Sequence, residues 1–141
     1  MEELILPLAL LKKALASLND AFKVFDEVTL LKNKRLTLAA EDSIIQRFEY
    51  CYDSFWKVFK KYLELRYALE DINSPKKVFR SCVKLQLFSE SEGEILINMA
   101  DDRNETCHTY DLEKVRIILA DVPLYYQTMV SVLQVLEQLQ C

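Results

Sequence analysis

Glycine occurs once in the 141 residues, histidine once and proline three times. Sheet proteins of this size draw on glycine wherever a tight turn needs positive φ, so the shortage disfavours hairpins and favours long helices. The segment MEELILPLALLKK is apolar in its middle but has neither a basic start nor a small-residue cleavage site. No apolar run approaches the roughly 20 residues of a membrane span. A soluble, cytoplasmic chain without membrane association is expected. The four cysteines, Cys51, Cys82, Cys107 and Cys141, show no C-x-x-C spacing, and one histidine cannot complete a cluster with them. Neither a metal site nor a cofactor is therefore expected. The thiols read as reduced rather than as a disulfide framework, with Cys107 buried and inert. A net charge of −4 argues against a nonspecific binder of duplex nucleic acid, while leaving room for a local basic patch.

What is abundant is apolar surface, 51% of residues against 28% charged, which suits one globular domain over residues 1–141. The periodicity predicts one all-α bundle of four or five helices. Pro7 can start the first, whose stripe is Leu11, Leu15, Leu18, Phe22 and Phe25; its end is not fixed by the pattern. The second puts Ile44, Ile45, Phe48, Cys51, Tyr52, Phe55, Trp56, Phe59, Tyr62 and Leu63 on one broad face, with Glu49, Asp53, Lys57, Lys60 and Lys61 opposite. Ser74 and Pro75 open a third helix, running to near Phe88. Ser91 and Glu94 have capping-box spacing for a fourth, expected to fray at residues 106 to 109. Asp111 can cap a fifth, which Pro123 should kink or split, with Asp121 ready to cap the second piece. The fourth helix is apolar on two sides, and a second copy of the chain could cover the surplus, so a symmetric homodimer is expected.

The stretch DDRNETCHTYD, residues 101–111, holds the single histidine. A histidine side chain ordinarily titrates near neutrality, so His108 can move a proton, while the Arg103 guanidinium can hold a phosphate bidentately. Together they suit RNA cleavage by transesterification without a metal. Five residues apart, they stand about 140° apart around a continuous helix. They meet on one ligand only if the helix ends between them or a second copy contributes. The structural alternative is a surface histidine, with Arg103 paired to Asp101, Asp102 or Glu105. Lys57, Lys60, Lys61, Lys76, Lys77, Arg80 and Lys84 gather positive charge in the middle third, most simply as a solvated outer face.

Arg103-Asn104, three residues, His108, one residue, Tyr110 resembles the signature of the HEPN domains, in the subgroup of nucleotidyltransferase substrate-binding proteins. QRFEYCYDSFWKVFKKYL at 46–63 and NSPKKVFR at 73–80 match the same subgroup in order and spacing, over roughly residues 8 to 140. Cys107 stands where the subgroup often has serine, and Leu112 intervenes before Glu113. The resemblance implies an up-and-down helical bundle that dimerises, with two Arg-x4-His motifs at a shared cleft, acting as a toxin ribonuclease. It implies Arg103 and His108 as the catalytic pair with Asn104 in support. It also implies a minimal nucleotidyltransferase antitoxin that adenylylates Tyr110. A non-catalytic adaptor that presents substrate or nucleotide to that partner is the second reading, and a purely structural helical dimer the third.

Overall fold

The computed structural model describes residues 2–108 and 111–140. A 3-10 turn, Glu2–Leu4, leads into α1 (Ile5–Leu30), then α2 (Lys34–Tyr67), α3 (Pro75–Lys84), α4 (Glu90–His108) and α5 (Leu112–Gln140), with no strand among the described residues. Side-chain pairs give the topology. Arg47 Nε donates to Ser17 Oγ at 3.0 Å while Leu6 and Leu10 line a groove with Lys57, Val58 and Lys61, so α2 returns antiparallel to α1. Thr106 meets Glu49 and Arg103 meets Asp53, so α4 runs antiparallel to α2. Lys12 pairs with Glu137 and Phe22 packs edge-on to Tyr126, so α5 opposes α1. The four long helices alternate up and down, and short α3 is the insert between α2 and α4.

The core follows the broad face of α2. Ile44, Phe48, Cys51, Tyr52, Phe55, Phe59, Tyr62 and Leu63 are buried, and Ile45 and Trp56 sit at its edge, partly covered. Phe55 lies 4.9 Å from Phe59 and 5.8 Å from Phe79, ring to ring, and Phe59 lies 5.0 Å from Phe88. Each such side chain withdrawn from water stabilises the fold by roughly 1.5–3 kcal/mol. This aromatic stripe is core.

Several local expectations change. α1 stops at Leu30, and Asn33 caps α2 by accepting from the Arg35 and Leu36 amides at 3.1 and 3.2 Å. α3 ends at Lys84, four residues before Phe88, because Gln86 turns at φ 62° and sends Leu87 and Phe88 into the core. The capping box of α4 is Ser89 with Glu92, not Ser91 with Glu94: Ser89 N donates to Glu92 Oε1 at 2.8 Å and Glu92 N to Ser89 Oγ at 3.1 Å. The repeat Ser-Glu-Ser-Glu offers the spacing twice, and the earlier pair is the one that follows buried Phe88. α5 passes through Pro123 as one helix, so Asp121 caps nothing; Pro123 lies on the exposed side, where water can serve the carbonyl that loses its partner. Asp111 caps α5 as expected, accepting from Glu113 N at 3.0 Å. On α4, Leu96, Met99 and Ala100 are buried and Ile95 and Ile97 pack against the core. The single chain therefore covers most of the apolar surplus that had called for a second copy. Cys51 and Cys82 are free and buried.

The scarcity of glycine shows in the turns. Lys32, Ala68, Asp71 and Gln86 all take positive φ without it, each at a cost of about 1–2 kcal/mol. The one glycine is spent on helix contact instead. Gly93 is buried in α4, where an added Cβ would stand 2.4 Å from Val83 Cγ2 of α3. Gly93→Ala is thus expected to lower stability: overpacking costs about 1–3 kcal/mol, and better helix propensity returns only about 1. Adding Val83→Ala should recover part of the loss in urea denaturation. Gly93→Ala as stable as wild type would show that the two helices separate freely.

Candidate functional site

Leu96, Met99 and Ala100 seat α4 on the core, and Arg103 is the next position along the same stripe. The seam that buries those apolar groups therefore continues onto a guanidinium. Its side chain is only 18% exposed, and across from it α2 presents Glu49, Tyr52 and Asp53. Arg103 Nη1 lies 3.1 Å from Glu49 Oε2, and Nη2 lies 3.6 Å from Asp53 Oδ2. The guanidinium sits over the Tyr52 ring, 5.9 Å from its centre, and Nη1 also donates to Cys107 Sγ. Nε is buried without a partner among the described residues. Burial opposes the charge, but the contact with Cys107 and the two carboxylates more than offset it and raise the Arg103 pKa above its ordinary value. Arg103 stays cationic.

Three sequence expectations are corrected here. Glu49 and Asp53, set opposite the apolar stripe by the helical period, are partly covered, because α4 packs on that side of α2. The partners of Arg103 are these two acids rather than Asp101, Asp102 or Glu105. Asp101 pairs with Lys76, Glu105 lies 3.9 Å from Lys114, and Asp102 accepts from the Tyr125 hydroxyl. Cys107 is exposed rather than buried, with Sγ 3.9 Å from Glu49 Oε2. Thr106 Oγ1 lies 3.0 Å from the same oxygen and 2.8 Å from the Arg103 carbonyl, so its one proton goes to either. Nothing in the residue pattern marks Glu49; only its position opposite Arg103 does.

His108 is the last residue of α4, so the helix does not end between positions 103 and 108. In one chain the two positions stay about 140° apart. Asn104 is exposed. Tyr110 lies outside the described residues. Beyond it, Arg116 Nε donates to Glu41 Oε2 at 3.2 Å and ties the start of α5 to α2. Two carboxylates of α2, Glu41 and Glu49, thus fasten both sides of the α4–α5 junction. A depression of about 410 Å³ opens beside the last turn of α4, lined by Asp42, Ile45, Gln46, Glu49, Thr106 and Val115. Its lining is acidic. A groove of about 620 Å³ between α3 and α4 has an apolar floor of Phe79, Val83 and Ile97 with mixed charges at its rim, and takes in none of the motif residues. The basic residues of the middle third lie as a largely solvated face rather than at the motif: Lys57, Lys61, Lys77, Arg80 and Lys84 face solvent, Lys60 lies over Trp56 and Lys76 is paired with Asp101. Among the described residues no three metal-ligating side chains converge, and no helix is long and apolar enough to cross a membrane.

Comparison places these features among known chains. The sequence pattern of the family described as nucleotidyltransferase substrate binding protein like matches residues 6–138. A crystal structure of a Thermus thermophilus protein is similar at 35% identity, with 93% of this chain and 99% of that one covered and a TM-score of 0.75. The fold is also that of a chain in a mutant toxin–antitoxin complex, MntA-HpeT, at 17% identity, 98% and 99% coverage and TM-score 0.76. It is likewise that of a chain in the tri-AMPylated Shewanella oneidensis HEPN toxin in complex with MNT antitoxin, at 16% identity, 96% coverage of each and TM-score 0.75. No match is found among curated proteins.

Asp102 supplies a pH test of the site's surroundings. Burial raises its carboxyl pKa and the carboxylates of Asp121, Asp101 and Glu105 add to the rise, while the Tyr125 hydrogen bond opposes it without cancelling. A raised folded-state value means that its contribution to stability is present at low pH and lost as pH rises through that value. Asp102→Asn keeps an acceptor for Tyr125 and removes the charge. The unfolding free energy of Asp102→Asn relative to wild type is expected to climb as pH rises from about 4 toward neutrality. A difference that stays flat in urea titrations across that range would contradict the assignment.

Proposed function

Because the chain belongs to the family of nucleotidyltransferase substrate-binding-protein-like chains, we propose that it is a HEPN-type toxin, a metal-independent endoribonuclease working through Arg103 and His108. The observation that carries this reading is Arg103 itself: a charged guanidinium built into a helix seam, with a side chain 18% exposed, one turn before the helix ends at the motif histidine. In the reaction, the ribose 2′-oxygen attacks phosphorus and gives its proton to a base. The bond from phosphorus to the 5′-oxygen breaks, and that oxygen takes a proton from the acid, leaving a 2′,3′-cyclic phosphate. His108 fills the base and acid roles and Arg103 holds the phosphoryl oxygens as charge builds. Asn104 adds a polar contact. Because α4 is continuous through position 108, a complete pair requires two copies, with Arg103 of one and His108 of the other at a two-fold cleft. That requirement supports a homodimer better than apolar surplus does.

His108→Ala should remove RNA cleavage by about 10²–10⁴-fold while helix content stays unchanged. Arg103→Ala should match it, and Arg103→Lys should recover only part, since lysine cannot bind an oxyanion bidentately. Cleavage should persist in EDTA and fail on DNA, which lacks the attacking hydroxyl. The adaptor reading is favoured by one feature, the two acids that occupy Arg103 in the single chain. Wild-type protein, free of AMP and of any partner, that cuts no oligoribonucleotide would give that reading first place.

The proposed antitoxin partner is a minimal nucleotidyltransferase, and the proposed modification is transfer of AMP from ATP to the Tyr110 hydroxyl with release of pyrophosphate. An added phosphodiester two residues from His108 would repel an incoming RNA phosphate. Incubation with such an enzyme, ATP and magnesium should add the mass of AMP to wild type and none to Tyr110→Phe. Equal labelling of both would place the acceptor elsewhere.

A further inference from the structure

Arg103 meets its two carboxylates on different terms. The Glu49 side chain is 26% exposed, and its Oε2 gathers Arg103 Nη1 at 3.1 Å, Thr106 Oγ1 at 3.0 Å and Cys107 Sγ at 3.9 Å. All three come from the closing turns of α4. One oxygen on α2 thus holds both the guanidinium and the turn that delivers His108. Asp53 is 47% exposed, and its Oδ2 stands 3.6 Å from Nη2, an ion pair too long for a hydrogen bond. Nε has no partner among the described residues. Nη1 is taken by Glu49 and Nε is buried, so the Nη2 corner of the guanidinium fork, with the loosely placed Asp53 beside it, is the part an incoming oxyanion reaches.

We propose that the two acids have opposite roles in the reaction set out above, on which this inference rests: Glu49 is the positioning residue for Arg103 and the last turn of α4, whereas Asp53 holds the Nη2 side until a substrate phosphate displaces it. Glu49 is the harder group to displace, because its Oε2 also stands within reach of the Thr106 hydroxyl and the Cys107 thiol. Asp53 can turn into water, since nearly half of its side chain is already there. Its negative charge beside the fork raises the concentration of RNA needed for binding. It also keeps the guanidinium paired when RNA is absent.

The two assignments separate by sign. In Glu49→Ala the Arg103 side chain loses its fixed place, and kcat for an oligoribonucleotide should fall by about 10²-fold, the cost of a misplaced group. Glu49→Gln, which keeps the volume and one acceptor oxygen, should restore part of kcat and remains informative if Glu49→Ala folds poorly. In Asp53→Asn the KM should fall by about two- to fivefold, the worth of one exposed ion pair. Guanidinium NMR of the 15N-labelled chain supplies a readout free of catalysis. The Arg103 Nε–H signal should be distinct in wild type and Asp53→Asn and collapse toward free arginine in Glu49→Ala, and inorganic phosphate should shift it at lower concentration in Asp53→Asn. A distinct Arg103 signal in Glu49→Ala, or an Asp53→Asn chain with KM and phosphate response no better than wild type, would overturn the proposal. If wild type cuts no RNA, the ribonuclease reading fails while the NMR signals still decide the roles of the two acids.

Discussion

An arginine side chain with less than a fifth of its surface in water has to be paired, and the pairing of Arg103 with Glu49 sets much of what the motif can do. It fixes the distance between α2 and α4 at the end where α4 stops. It also spends the strongest donor of the motif on the protein's own carboxylate. Removing one partner of a buried ion pair costs about 3–5 kcal/mol, and less here because both groups keep some contact with water. Such a pair is poor evidence of stability by itself. Its value lies in geometry, since a long arginine side chain left to itself samples many rotamers.

The same logic extends along α2. Glu41 holds Arg116 and Glu49 holds Arg103, so one helix governs both flanks of the α4–α5 junction. The aromatic face of α2, from Ile44 to Leu63, builds the core on one side while its carboxylates face the motif on another. A substitution in the core that shifts α2 along its axis would therefore move the motif as well.

Much of this fold can be read directly from the residue pattern, and the exceptions have identifiable causes. The apolar stripe of α2, the Ser74–Pro75 start of α3 and the Asp111 cap of α5 depend on short-range rules and appear as those rules dictate. A helical wheel leaves Glu49 and Asp53 without neighbours because it assumes one buried face, while α2 is contacted by α1, α3, α4 and α5. Pro123 does not split α5 because its side of the helix is open to solvent, a property of the assembled bundle rather than of the local sequence. Gln86 could not be foreseen as the turn after α3, since glutamine carries no preference for positive φ. At the motif, residue identity points to Arg103 and His108, but the acids that hold Arg103 come from about fifty positions earlier in the chain.

Continuity of α4 through position 108 makes the proposed function specific: on that reading one chain would present half of each reactive pair, and two copies would complete it. Mixing Arg103→Ala protein with His108→Ala protein under conditions that exchange subunits tests this most directly. Each parent should be inactive on an oligoribonucleotide. The mixture should regain about a quarter of wild-type activity, since half of the dimers are mixed and each of those holds one complete pair. A mixture as inactive as its parents, with subunit exchange verified by native mass and wild type active in the same assay, would contradict the shared cleft.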